Sequence, residues 1–120
     1  MAKRNEAVFT GSVSWAQNED AAKTIDINVP SLAPDEGEQY LLSIKNGSAA
    51  VNLTVSISNL IAFNSSPEAA EIVSDVQVST SSAVGKVVTG FPLGSGGRLK
   101  FTKSSVTAPA FTAYVELRRA

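Results

Sequence analysis

Apolar and polar residues alternate one for one along much of this chain. Val51, Leu53, Val55 and Ile57 interleave with Asn52, Thr54, Ser56 and Ser58, a period that sends the two sets to opposite faces of an extended strand. The rhythm returns near the C-terminus, where Phe111, Ala113, Val115 and Leu117 alternate with Thr112, Tyr114, Glu116 and Arg118. An amphipathic helix would need an apolar stripe recurring about every 3.6 residues, and neither segment offers one. Strands of this kind bury one face and wet the other, as in antiparallel sheets.

The same reading extends along the chain. A first strand covers Ala7 to Trp15, with Phe9, Gly11, Val13 and Trp15 on one face and Thr10, Ser12 and Ser14 on the other; residues 1–6 before it read as an arm. Ile25, Ile27 and Val29 alternate with Thr24, Asp26 and Asn28 until Pro30, and Pro34, Asp35 and Gly37 mark a turn. Tyr40, Leu42 and Ile44 alternate with Leu41, Ser43 and Lys45 and lead into Asn46-Gly47. That pair suits the positive φ of a tight turn, so Tyr40 to Ser58 reads as a β-hairpin. The apolar run Asn59 to Phe63 fits a cap over one end of the core. Ser66-Pro67-Glu68-Ala69-Ala70-Glu71 has a proline at a first-turn position and acids near the positive end of a helix dipole, the signature of at most one helical turn. Strand character resumes over Ile72 to Thr80, Val84 to Thr89, around Leu99 and Phe101, and from Ala110 to Arg118, with a glycine-dense connection from Gly90 to Gly97. The expectation is one all-β domain over residues 7–120, an antiparallel β-sandwich or jelly roll of about eight short strands. Strand order does not follow from the pattern.

Composition narrows the chemistry more than the fold. Cysteine and histidine are both absent, which removes disulfides, thiolate catalysis, Cys-based zinc sites, the commonest general base and the commonest transition-metal ligand. Ten basic and eleven acidic residues nearly cancel, against a broad nucleic-acid or anionic-membrane footprint. Apolar stretches are strand-length, and no apolar run of the length a Sec-type signal needs follows Lys3 and Arg4. Serine and threonine supply 24 of the 120 residues, a composition suited to exposed sandwich faces.

Without histidine a serine nucleophile would need a lysine base, but Lys23, Lys45, Lys86, Lys100 and Lys103 sit where solvated lysines are ordinary. Gly94-Ser95-Gly96-Gly97 lacks the lysine and spacing of a phosphate loop. Glu19 with Asp20, and Asp35, Glu36 and Glu38, crowd two loops with no calcium-type ligand spacing. Sequons at Asn46, Asn52 and Asn64 are unsurprising in so hydroxyl-rich a chain. No catalytic, cofactor or metal site is therefore expected. Trp15 and Tyr40 fall in phase with apolar neighbours and belong to the core, whereas Tyr114 falls in phase with Thr112, Glu116 and Arg118, where an aromatic points to a partner. Leu32, between two prolines, and the Leu60-Ile61-Phe63 run either close the sandwich ends or form an interface. A contact surface is expected to draw on Lys3, Arg4, Leu32, Tyr114 and Arg118.

The segment Gly90-Phe-Pro-Leu-Gly-Ser-Gly-Gly-Arg-Leu-Lys-Phe101, followed by Ala110-Phe-Thr-Ala-Tyr-Val-Glu-Leu-Arg-Arg119, resembles the closing strands of the decoration or cement proteins of tailed-phage capsids. The resemblance implies a non-enzymatic virion protein, often trimeric, made in the host cytoplasm and bound to the major capsid protein on the outer capsid surface, where it staples subunits together. It implies no cofactor, nucleic acid or membrane, and it carries over no site residues. A carbohydrate-binding or adhesive module, stacking Tyr114 or Trp15 on sugar rings, is the alternative from a different class.

Overall fold

A computed structural model describes residues 7–27, 39–63, 66–89 and 97–119. The alternating segments are extended, as β1 (Ala7–Trp15), β2 (Lys23–Ile27), β3 (Gln39–Asn46), β4 (Leu53–Phe63), β5 (Ser66–Val78), β6 (Ala83–Thr89), β7 (Gly97–Lys103) and β8 (Phe111–Arg119). They form two four-stranded sheets, in the orders β1-β8-β3-β6 and β2-β7-β4-β5. Every pairing is antiparallel. First pairs with last, second with seventh, third with sixth and fourth with fifth, so the chain is one long hairpin rolled up until β3 also meets β8 and β4 also meets β7. This is the jelly-roll order, and it settles the choice the alternation left open.

The two inner faces hold the core. Trp15, Ile25, Ile27, Tyr40, Leu42, Ile44, Leu53, Val55, Ile57, Leu99, Phe101, Val115 and Leu117 are all buried there, each side chain of this size contributing about 1.5–3 kcal/mol on burial. Trp15 closes one end, stacked on Phe111 at 4.8 Å between centroids and edge-on to Phe101 at 6.3 Å. Its Nε1 donates to the Ala21 carbonyl at 2.8 Å, which answers the indole's one polar atom. Trp15 and Tyr40 are thus core residues, as their phase predicts.

Two local expectations are overturned by long-range pairing. Tyr40 to Ser58 is not a hairpin: β3 lies in one sheet and β4 in the other, so the chain crosses between layers at Asn46. Neither residue of the Asn46-Gly47 pair adopts positive φ. Asn46 is instead fully buried and donates from Nδ2 to the carbonyls of Val51 (2.8 Å), Val78 and Ser79 (both 3.3 Å), while its Oδ1 accepts from Ser48 N at 2.8 Å. Ser48 Oγ then accepts from the amides of Ala50 and Val51. Gly47 is required by proximity, since a Cβ there would lie 2.3 Å from the Thr112 carbonyl oxygen, to which the Gly47 amide donates at 3.1 Å.

The second correction concerns residues 59–71. The run Asn59 to Phe63 is not a separate irregular segment but continues β4, pairing Leu60 with Ala69, Ala62 with Pro67 and Phe63 with Ser66. Ser66 to Glu71 is accordingly strand, and no helix occurs among the described residues. The weak helix-start signal loses to the ladder with β4. Pro67 is tolerated because β5 is an edge strand, where a missing N–H need not break a central pairing. The arm with Lys3 and Arg4, the segment holding Leu32 and its flanking prolines, and the glycine-dense connection up to Gly96 lie outside the described residues.

Candidate binding face

The outer face of the β1-β8-β3-β6 sheet is built from the polar phase of its strands. Register places Ser12, Tyr114, Lys45 and Ala83 side by side across the sheet, and Thr10, Glu116, Ser43 and Gly85 in the next row. Arg118, Leu41 and Val87 make a third. Each outward position follows from alternation, because its neighbours along the strand (Ala113, Val115 and Leu117 on β8, Leu42 and Ile44 on β3) are buried on the other side.

Tyr114 is 53% exposed at the centre of this face. With small Ala83 on β6, the tyrosine ring and the Lys45 chain border an open groove of about 360 Å³, lined also by Thr10, Gly11, Ser43 and Glu116. Arg118 grips Glu116 through two hydrogen bonds, Nε to Oε1 and Nη2 to Oε2, the latter at 3.1 Å. That bond holds the Glu116 carboxyl below the usual carboxylate range. Of the five residues expected to form an interface, Tyr114 and Arg118 therefore share one face, with the guanidinium already engaged; Lys3, Arg4 and Leu32 fall outside the described residues. Sequence reading passed over Val87, which is also 53% exposed, opposite Leu41 on the edge strand. Its signal was the Val87-Val88 doublet, which in a strand must put one valine outside.

The other candidates resolve into structure. Glu19 is held below the usual carboxylate range by Lys23 and by the Ala16 amide, and Lys103 donates to the carbonyls of Glu19 and Val106. Lys23 and Lys103 are thus half-buried clamps, not free solvated lysines, while Lys45, Lys86 and Lys100 are exposed as expected. Asp26 takes a bidentate pair from Arg98 at 2.7 and 3.1 Å, which lowers its pKa. Among the described residues no three acidic side chains converge on a metal site. Asn46 is a buried polar anchor, and the exposed Asn52 accepts from the Thr80 amide through Oδ1, while the third sequon, at Asn64, lies outside the described residues. Among the described residues, the Tyr114 face brings together an aromatic ring, hydroxyls, an ammonium and a carboxylate on one sheet.

No family model matches the chain, and no curated protein matches it. Among solved structures it is similar to the CBM22-1 xylan-binding domain of Paenibacillus barcinonensis Xyn10C, with a TM-score of 0.47 and 10% identity over 99% of this chain and 97% of that one. It is also similar to the CBM22-1-GH10 modules of the Clostridium thermocellum endo-1,4-beta-D-xylanase 10B complexed with xylohexaose, with a TM-score of 0.41 and 17% identity over 98% of this chain and 26% of that one. At these scores nothing about a ligand follows.

Proposed function

We propose that the protein is a non-enzymatic structural virion protein that binds the outer surface of a capsid and stabilises the shell by bridging its subunits, with the outer face of the β1-β8-β3-β6 sheet as its docking surface. The observation that carries this reading is Tyr114, half-exposed at the centre of the sheet face and ringed by Ser12, Lys45 and the Glu116–Arg118 pair. An aromatic anchor inside a polar rim is the anatomy of protein interfaces, where a few such residues carry most of the affinity. Jelly rolls host viral capsid domains and lectins alike, so the fold supports the role only by analogy. Co-sedimentation of the purified protein with expanded capsids tests it: binding that Tyr114→Ala weakens at least about tenfold is expected, and no binding to any candidate shell would sink the proposal.

The groove beside Tyr114 favours a second reading, a carbohydrate-binding module. A ring for stacking, with the hydroxyls of Thr10 and Ser43 and the charges of Lys45 and Glu116 within one lining of about 360 Å³, suits a sugar as well as a side chain. Specific binding on a glycan array, lost with Tyr114→Ala and accompanied by no sedimentation with shells, would put this reading first.

A further inference from the structure

Four strands end the two sheets, and three of them are guarded against pairing with another chain. On β6, Lys86 stands opposite Leu42 in the inward row between Val84 and Val88, yet is exposed, an inward-pointing charge that blocks an incoming strand. β5 pairs irregularly with β4, holds Asp75 at φ 57°, contains Pro67 and carries the exposed Glu71 and Asp75, whose charges would repel a second copy. β2 is five residues long, with Lys23 and Asp26 committed to ion pairs. β1 differs. From Phe9 to Trp15 its pairing with β8 is unbroken, and this stretch holds no charged residue and no proline. Among the described residues it is the unguarded edge.

Its sequence is also complementary to itself. Phe9-Thr10-Gly11-Ser12-Val13, set antiparallel to a second copy about Gly11, brings Phe9 of one copy opposite Val13 of the other and Thr10 opposite Ser12. Aromatic against β-branched on the inner face, and hydroxyl against hydroxyl on the outer, are favourable cross-strand pairs, and no like charges meet. Gly11 suits the centre: it carries no Cβ, and the Phe9 ring lies over it, 3.0 Å from where one would stand.

We infer that the free edge of β1 is a homodimer interface, in which the Phe9–Val13 edges of two copies add antiparallel and join their β1-β8-β3-β6 sheets into one continuous sheet. A two-fold pairing of this kind closes after two copies, which sets it apart from the trimer expected by resemblance. The dyad stands perpendicular to the sheet, so both Tyr114 faces look the same way. Tyr114 lies one strand in from the edge, opposite Ser12, so the two Tyr114 positions are three strand spacings apart across the sheet and two residues apart along it, a separation of about 16 Å. The interface stands independently of what the Tyr114 face binds.

Sedimentation velocity of the full chain across a wide concentration range tests it. Mass is expected to rise from 12.5 kDa toward twice that value. The double variant Thr10→Lys/Ser12→Lys sets lysine opposite lysine across the dyad, and Thr10→Glu/Ser12→Glu sets acid opposite acid; each is expected to weaken the dimer about tenfold, and an equimolar mixture to restore it. Near-UV dichroism of Trp15 reports whether each variant is folded. Hydrogen exchange on the unaltered protein is the companion measurement, since the β1 amides turned away from β8 should slow as concentration rises. A single-copy mass at every concentration, a trimeric mass, a dimer indifferent to both charge variants, or edge amides insensitive to concentration would each overturn the inference. Tyr114→Ala is expected to leave the dimer intact, which separates failure of this interface from failure of shell binding.

Discussion

The corner at Asn46–Val51 and the face around Tyr114 are neighbours, joined where the Gly47 amide donates to the Thr112 carbonyl, yet they use the same residue types to opposite ends. In the corner the polar groups are turned inward and satisfied: the buried Asn46 amide reaches three carbonyls, and Ser48 Oγ accepts from two amides. On the face, Thr10, Ser12, Lys45 and Tyr114 are exposed. Burial decides the difference. A buried polar group left unpaired costs about 1–3 kcal/mol, so in the corner each one dictates where the backbone runs. On the face water satisfies them without charge to the fold, and they are free to meet a partner.

Substitutions that move one region toward the other should separate these roles. The largest effect is expected from Gly47→Ala, which drives a Cβ against the Thr112 backbone, where no flexible side chain is available to yield. A loss of about 3 kcal/mol or more is expected, read as a lower urea midpoint. A tolerated alanine would show that the corner can move away from β8. Asn46→Ala comes next, at about 2–3 kcal/mol, because it strands the Ser48 amide and several carbonyls in a dry site. Tyr114→Ala should change stability by less than about 0.5 kcal/mol while weakening shell binding at least about tenfold. A large stability loss there would mean that the ring belongs to the fold.

The smallest effects concern pH. Asp26, Glu19 and Glu116 all have lowered pKa values, chiefly through hydrogen bonds from Arg98, Lys23 and Arg118. Carboxyls of this kind stabilise the fold above their unfolded values of 3.8 and 4.5, and the contribution disappears as pH falls through the lower folded values. All three keep contact with solvent, which screens these pairs, so the acid limb of a thermal-melt series should slope gently. Tyr40 acts in the other direction. Burial raises its pKa above 10.0, so its contribution is complete below that pH and is lost as pH rises through the folded value.

Alternation made the strands and their faces legible because each inward residue declares its side independently of any partner. Trp15, Tyr40 and Tyr114 were all placed correctly by phase alone. What the chain does not display locally is which strand meets which. Asn46-Gly47 carries the composition of a hairpin turn, but its conformation is set by Val51 five residues on and by Val78 and Thr112 far along the chain. Ser66 to Glu71 carries a helix-start signature that the β4 ladder overrides. The binding face is legible at Tyr114 and Arg118, whereas the small residue that opens the groove, Ala83, joins it only through the pairing of β3 with β6.

The rolled-hairpin order also bears on how the protein is made. β8 sits between β1 and β3 and holds the β1-β8-β3-β6 sheet together, although it is built from residues 111–119. Ser14 and Thr112, whose hydroxyls meet at 2.9 Å, are 98 positions apart. At about 5–20 residues per second, β1 leaves the ribosome several seconds before its neighbour exists, and pairings so distant in sequence form slowly. During synthesis β1 has both edges bare, and only the arrival of β8 covers one of them. Nascent chains on one messenger are therefore most prone to cross-pair in that interval, and yield should depend on how quickly residues 111–119 follow the rest.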